Sequence, residues 1–401
     1  MQKRLREEMK QHCIHTIMPY WMRLSDPEWG GFYGLVNYDL TVDKQADKGV
    51  ILNSRILYFF SRVYTVFQEK EALEYADKAY EFLTEKCWDK KSGGVYWMLY
   101  HDGSVKESMK HTYNQAFAIY ALSAYYEATC RKQARDLALD LFSLIEEKCT
   151  DNYGYVEAFT AEWEPISNEK LSENGLLADK TMNTLLHLLE AYTLLYKITQ
   201  KQRVKERLLY LLKMFEEKVW NEKEGRLEVF FDAQMNSIAD LYSYGHDIEA
   251  SWLIDYACEV LKEQDAGIWT PDYTGTIAEH IYERALKDGA VNNECFNGIV
   301  DTTRVWWVQA EAVVGFFHAY EKTKDARYFH AAEEIWEYIQ TNFVDKREGG
   351  EWFWDLNREG IPESHKPITE PWKCPYHNGR MCMEIFVRQI QTKKEQGESE
   401  R

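Results

Sequence analysis

A glycine followed by a short aromatic-rich stretch returns along this chain at a nearly fixed interval, and such a period constrains the fold more than any local propensity. Copies start at Gly31 (GGFYGLVNYD), Gly94 (GGVYWMLYHDG), Gly154 (YGYVEAFT), Gly225 (GRLEVFFDA) and Gly350 (GGEWFWDLN), with a degenerate copy at Gly289 (DGAVNNE). Spacings of 63, 60, 71, 64 and 61 residues divide the 401 residues into six units. Each unit carries two segments with apolar residues at i, i+3, i+4 and i+7, the mark of a helix with one buried face. Those before the glycines are charge-rich, as in 70–87 and 326–343. Those after them, such as 50–64, 112–126 and 304–320, are apolar nearly all round and must be buried. Six hairpins with alternating solvated and buried members predict an all-α fold, an (α/α)6 barrel or toroid, with the short strand-like aromatic stretches at one mouth. No linker rich in Pro, Gly or Ser interrupts it. The expectation is therefore one catalytic domain over 1–391, with a disordered tail at 392–401.

Charge and composition narrow the partners. Lys and Arg number 48 against 66 Asp and Glu, a formal charge of −18 that repels a polyanion, so no nucleic-acid partner is expected. The N-terminus has no apolar signal region and no run of 18 or more apolar residues follows. A cytoplasmic protein that does not engage membranes, monomeric or weakly self-associating, is expected. Eight scattered cysteines without a CxxC pair read as reduced core thiols. Aromatic residues reach 15%, and Trp and Tyr provide flat faces with a polar tip, suited to stacking on sugar rings.

An ionisable side chain on a buried helix needs a partner or a task. The inner segments supply such residues in ladders: Arg55, Tyr58 and Arg62; Tyr113 and Phe117 after His111; Asn183, His187 and Glu190, followed by Tyr192; His246 and Glu249, followed by Trp252; Arg304, Trp307 and Glu311; and Trp372, His377, Arg380 and Glu384. All six ladders are expected to converge on one central cavity. Three imidazoles, His187, His246 and His377, come from three different repeats. His12, His15, His101, His280, His318, His330 and His365 are assigned to outer helices, loops or helix ends, and Trp306 to the core.

No HExxH, calcium-loop pattern or Cys/His cluster is present, so no metal is expected; without GxGxxG or a P-loop, no nucleotide cofactor is expected either. Glu249 and Glu311 offer the carboxylate pair of an (α/α)6 glycoside hydrolase, one alternative. Each also lies near a His, as a partner orienting an imidazole would. Two imidazoles fit proton removal α to a carbonyl and proton return from the other face, with Arg55 and His187 stabilising the enediolate between the steps. That is the chemistry of an aldose epimerase or isomerase acting on an open-chain sugar.

The strings ADKGVILNSRILYFFSRVY, MKHTYNQAFAIYALSAYY, LSENGLLADKTMNTLLHLLEAY, YSYGHDIEASWL, DTTRVWWVQAEAVVGF and PWKCPYHNGRMCMEI resemble the cellobiose 2-epimerase family of the N-acylglucosamine 2-epimerase superfamily, from about residue 5 to 390. The resemblance implies an (α/α)6 barrel and reversible C2 epimerisation of the reducing-end glucose of β-1,4-linked disaccharides, such as cellobiose and lactose, through a cis-enediolate and without metal or nucleotide. It implies His377 (CPYHNGR) and His246 (YGHDIE) as the acid/base pair, with His377 acting on glucose. It further implies His187 and Arg55 on the enediolate oxygens and Glu249 and Glu311 orienting the two imidazoles. Tyr113, Asn183, Trp252, Trp307 and Trp372 are expected to contact the sugar; another aldose epimerase or isomerase of the superfamily is the near alternative.

Overall fold

The structure, a computed structural model, describes residues 2–171 and 175–398. Twelve helices are present among them, in six pairs. The outer helices are α1 (2–23), α3 (70–87), α5 (Lys132–Lys148), α7 (202–219), α9 (Tyr273–Arg284) and α11 (326–343). The inner helices are α2 (Val50–Phe67), α4 (Thr112–Thr129), α6 (Met182–Thr199), α8 (Tyr244–Lys262), α10 (Trp306–Thr323) and α12 (His377–Glu398). Each inner helix packs on the next and α12 returns to α2, closing the ring, while α1 packs on α12 and the two ends of the chain seal one wall. The (α/α)6 toroid is thus the fold. Helix α12 covers most of the segment read as a disordered tail; 399–401 lie outside the described residues.

Burial follows the composition of the segments. Val50 to Ser61 on α2 and Thr112 to Tyr125 on α4 are buried without a break. On outer α3 only the face of Ala72, Ala76, Ala79, Tyr80, Phe82, Leu83 and Cys87 is buried, the stripe of an amphipathic helix on a core. No helix among the described residues is long and apolar enough to cross a membrane.

The glycine stretches connect the end of each outer helix to the start of the next inner one. Gly31 and Gly94 have φ of +67° and +77°, the left-handed region that glycine enters without a Cβ clash. The loops are pinned from inside. Asp26 Oδ1 accepts the Glu28 and Trp29 amides while its other oxygen takes Lys48 Nζ at 2.5 Å; Asp89 repeats this with the Lys91 and Ser92 amides and Lys110 at 2.8 Å; Asp151 does so with the Tyr153 and Gly154 amides and Lys180 at 2.6 Å. Each lysine stands two residues before an inner helix, so every such pair ties an inner-helix start to its loop. Arg304 takes this place before α10, bonding Asn292 and the Lys287 carbonyl. It therefore does not face the cavity, contrary to the expected ladder.

Gly315 of the inner ring allows close helix approach. A Cβ on Gly315 of α10 would lie 2.5 Å from Ile248 Cγ1 and 2.8 Å from the Ile248 carbonyl on α8, whereas one on Gly275 of α9 meets nothing within 4 Å. Gly315→Ala should therefore lower stability by about 1–3 kcal/mol through overpacking. Gly275→Ala should be neutral or stabilising by up to about 1 kcal/mol. Thermal midpoints of the two variants check this, and equal midpoints would refute it.

Candidate active site

The first turns of the inner helices surround a cavity of about 260 Å³ at the mouth that carries the glycine stretches. Arg55, Tyr113, Asn183, His187, His246, Glu249, Trp307, Trp372 and His377 all line it. Nine of the eleven residues expected at the site are thus brought together there. Glu311 lies one layer below, and Trp252 is not in the cavity wall. Its buried indole donates through Nε1 to Glu311 Oε2 at 3.2 Å, supporting a carboxylate where sugar contact was expected.

All three imidazoles are held at Nδ1. His187 Nδ1 lies 3.0 Å from Glu190 Oε2, His246 Nδ1 2.7 Å from Ser243 Oγ, and His377 Nδ1 2.7 Å from Glu311 Oε1. Nε2 of each has no hydrogen-bond partner among the described residues, so the second nitrogen of each ring is the one available to the cavity. The tautomer of a histidine is set by the partner of its other nitrogen. Glu249 does not hold His246, as the resemblance implied; it bonds Arg380 and comes no closer than 3.9 Å to His377 Nδ1. Ser243, outside any helical pattern, takes that place. The Trp307 indole packs on both rings, its centroid 4.7 Å from His246 and 5.4 Å from His377.

Arg380 organises the layer beneath. Its guanidinium, fully buried, donates to Glu190, to Glu249 at 2.5 Å and Glu311 at 2.7 Å, and lies 4.9 Å from the centroid of Trp252. Three carboxylates from α6, α8 and α10 thus share one cation from α12. Glu249, Glu311 and His377 place a ligand atom each within 4.8 Å of one another and are the one group among the described residues able to hold a metal ion. Arg380 Nη2 bonds both carboxylates of that group, supplying the positive charge there from the chain itself. The two carboxylates meet on one nitrogen. A glycoside hydrolase needs them on either side of a glycosidic bond, about 5–9.5 Å apart, so the shared contact counts against that alternative.

Electrostatics keeps the imidazoles neutral. Burial lowers His187, brings His246 down to about 3, and with Arg380 and Arg55 nearby holds His377 well below 6.5. Burial, with Glu311 beside it, raises Glu249 well above the usual carboxylate range. Arg55 is 3% exposed, yet no carboxylate bonds it among the described residues: Nη2 donates to the Tyr113 hydroxyl at 2.8 Å, Nη1 lies 3.4 Å from the Trp372 carbonyl, and Nε has no partner. Asn183 Oδ1 is likewise buried without a partner. A free cation and a free acceptor in one cavity suit a ligand with developing negative charge and hydroxyl donors.

Lys170, Leu171, Trp306 and Trp354 complete the lining. The first two lie in a loop and Trp354 beside a two-residue strand, where no period marks them. Trp306, assigned to the core, is 1% exposed and packs edge-on against His377 while touching the cavity. His318 is corrected too: it lies on inner helix α10, toward the far end of the ring, against Asp255 Oδ2 at 2.8 Å and Arg388.

The fold and this site define a sugar-epimerase class, and the profile of the N-acylglucosamine 2-epimerase (GlcNAc 2-epimerase) family matches residues 30–378. The chain belongs to that family. It is 49% identical over 383 residues to the cellobiose 2-epimerase of Ruminococcus albus, covering 96% of this chain and 98% of that protein. The crystal structure of a sugar epimerase from a ruminal bacterium superposes with a TM-score of 0.94 at 49% identity, covering 96% of this chain and 98% of that one. The cellobiose 2-epimerase structure from Bacillus thermoamylovorans gives 0.93 at 46% identity over 97% and 100%.

Proposed function

We propose that the chain catalyses reversible C2 epimerisation of the reducing-end glucose of β-1,4-linked disaccharides, cellobiose to glucosyl-mannose and lactose to epilactose. The observation that carries this reading is the gathering of three Nδ1-anchored, neutral imidazoles and a carboxylate-free arginine around one cavity, in a chain 49% identical to a cellobiose 2-epimerase. After ring opening, His377 removes the C2 proton of glucose, Arg55 donates to the anionic enediolate oxygen, and His187, its Nδ1–H taken by Glu190, accepts at Nε2 from the hydroxyl on the other oxygen. His246 delivers a proton taken up from solvent to the opposite face, His377 releases the one it took to solvent before the next turnover, and the roles reverse from mannose. Glu311 and Ser243 orient the two transferring rings, Glu249 supports Arg380, and Tyr113, Asn183, Trp307 and Trp372 position the sugar. No metal or nucleotide takes part in this scheme, and one domain over 1–391, cytoplasmic and monomeric or weakly associating, carries it. Incubation with cellobiose and NMR of the product test the reading: a reducing-end mannose supports it, and release of free glucose refutes it.

Two further results are expected. A proton-abstracting imidazole works unprotonated, and burial depresses all three, so the acid limb of kcat/KM should fall below pH 6.5, the value of a free imidazole. A pH profile with its acid limb at or above 6.5 would contradict it. Trp372→Ala should raise KM several-fold with a smaller change in kcat, because a stacking platform contributes binding. Trp307→Ala should lower kcat as well, since its indole touches both His246 and His377. Steady-state kinetics of the two variants separate these effects, and an unchanged KM for Trp372→Ala in a less stable protein would make that tryptophan a core residue only.

A further inference from the structure

Lys170 of the cavity wall belongs to an ion pair that the proton transfers do not use. Lys170 Nζ meets Glu107 Oε2 at 2.7 Å, bridging the loop of the third repeat to the strand Val105–Glu107 of the second. The loop is held by Asn168: its Oδ1 lies 3.0 Å from His111 Nε2 and takes the Leu171 amide, and its Nδ2 donates to the Ala178 carbonyl. Lys170 is therefore presented from a fixed anchor at the start of α4. Its ammonium lies 5.7 Å from the Trp97 centroid, and Trp97 in turn lies 5.9 Å from Trp372. Lys170 itself lines the cavity.

Both partners are about a third exposed, at 32% and 34%. A pair so placed adds only about 0–1 kcal/mol to stability, so holding the fold together is a poor account of it. A cation and a carboxylate at the edge of two indoles have the makeup of a pyranose site. The ring's C–H face stacks on an indole, one hydroxyl accepts from the ammonium and another donates to the carboxylate. The floor of the cavity is occupied by the three imidazoles that would take the reacting sugar. The Lys170 edge, approached through Trp372, is left for the unit beyond the glycosidic linkage.

We propose that Lys170 and Glu107 recognise the second, non-reacting sugar unit and set the preference for a disaccharide over a monosaccharide. This rests on the disaccharide reading given above. The test compares wild type, Lys170→Met and Lys170→Arg on cellobiose and on free glucose, with thermal midpoints for all three. In Lys170→Met the ratio of kcat/KM for cellobiose to that for glucose falls about tenfold, as expected for losing a hydrogen bond to a charged group. The change lies in KM for cellobiose, the midpoint stays at the wild-type value, and Lys170→Arg recovers part of the ratio. An unchanged ratio, or equal losses on both sugars, overturns the inference while leaving epimerisation standing. Should wild type fail to epimerise cellobiose, the functional reading itself falls. Quenching of indole fluorescence by cellobiose then decides: a Kd about tenfold weaker in Lys170→Met upholds the recognition role, and an equal Kd removes it.

Discussion

Cellobiose turned over in deuterated water should yield a mannose-terminated product carrying deuterium at C2, and neither His246→Asn nor His377→Asn should produce it. Inversion needs one group to take the proton and a second to return one from the opposite face, and each such group contributes about 100- to 10,000-fold. Loss of either imidazole should therefore reduce net epimerisation by at least about 100-fold. The two variants should differ in what they retain. If His377 takes the proton from glucose, His246→Asn keeps that base and can still exchange the C2 hydrogen of cellobiose with solvent while leaving glucose as glucose. His377→Asn should not exchange it from that side. The asparagine amide can occupy the Nδ1 side, next to Ser243 or Glu311, so loss of fold is not the expected cause; a thermal midpoint near wild type checks this. NMR of recovered sugar reads all three results. Full retention of protium by wild type would point to a hydride or carbon-skeleton route, and full activity in either variant would remove that histidine from the scheme.

The fold was legible because its period is written in glycines that need a left-handed backbone and in helices that differ sharply in charge. The site was legible for a related reason: His187, His246 and Glu249 stand on helices too buried to carry a polar group without purpose. What escaped lies where that logic stops. A helix rises 1.5 Å per residue, so only its first turns reach the mouth. Arg62, Tyr192 and Glu384 continue their ladders in sequence yet lie deeper, the first two bonded to Glu127 and Glu146 and the third in an ion pair with Arg388 at 3.6 Å. Arg304 was counted as the first rung of α10, which begins at Trp306, and so its side chain serves the loop. Ser243, Lys170 and Trp354 lie outside the helices, where no spacing singles them out. Trp252 looks like a sugar platform in sequence because an indole over a saccharide and an indole under a carboxylate have the same residue type and the same spacing.

Arg380→Met should cost the protein more stability than any other single change at the site. The guanidinium is the common partner of Glu190, Glu249 and Glu311, and removing one member of a buried ion pair typically costs about 3–5 kcal/mol because the other charge stays buried. Here three carboxylates lose their cation at once, a loss comparable with the whole stability of about 5–15 kcal/mol of a typical protein. The sign of the pH dependence follows. Glu190, now held down to about 2 by Arg380 and His187 against the upward push of burial, loses its main cation, and Glu249 and Glu311, already raised by burial, lose the partner that opposes it. Carboxyls whose folded-state proton affinity exceeds the unfolded value stabilise the fold below about pH 4.3 and lose that contribution as pH rises. The deficit of the variant relative to wild type, compared at the same pH so that the histidines largely cancel, should therefore shrink on acidification from pH 7 to 5. Replacing two of the stranded carboxylates, in Arg380→Met with Glu190→Gln and Glu311→Gln, should recover part of the loss at pH 7. Thermal midpoints of wild type, single and triple variants at both pH values provide the measurement. A single variant as stable as wild type at pH 7 would mean that the three glutamates are already protonated and that Arg380 is not what holds α6, α8, α10 and α12 together.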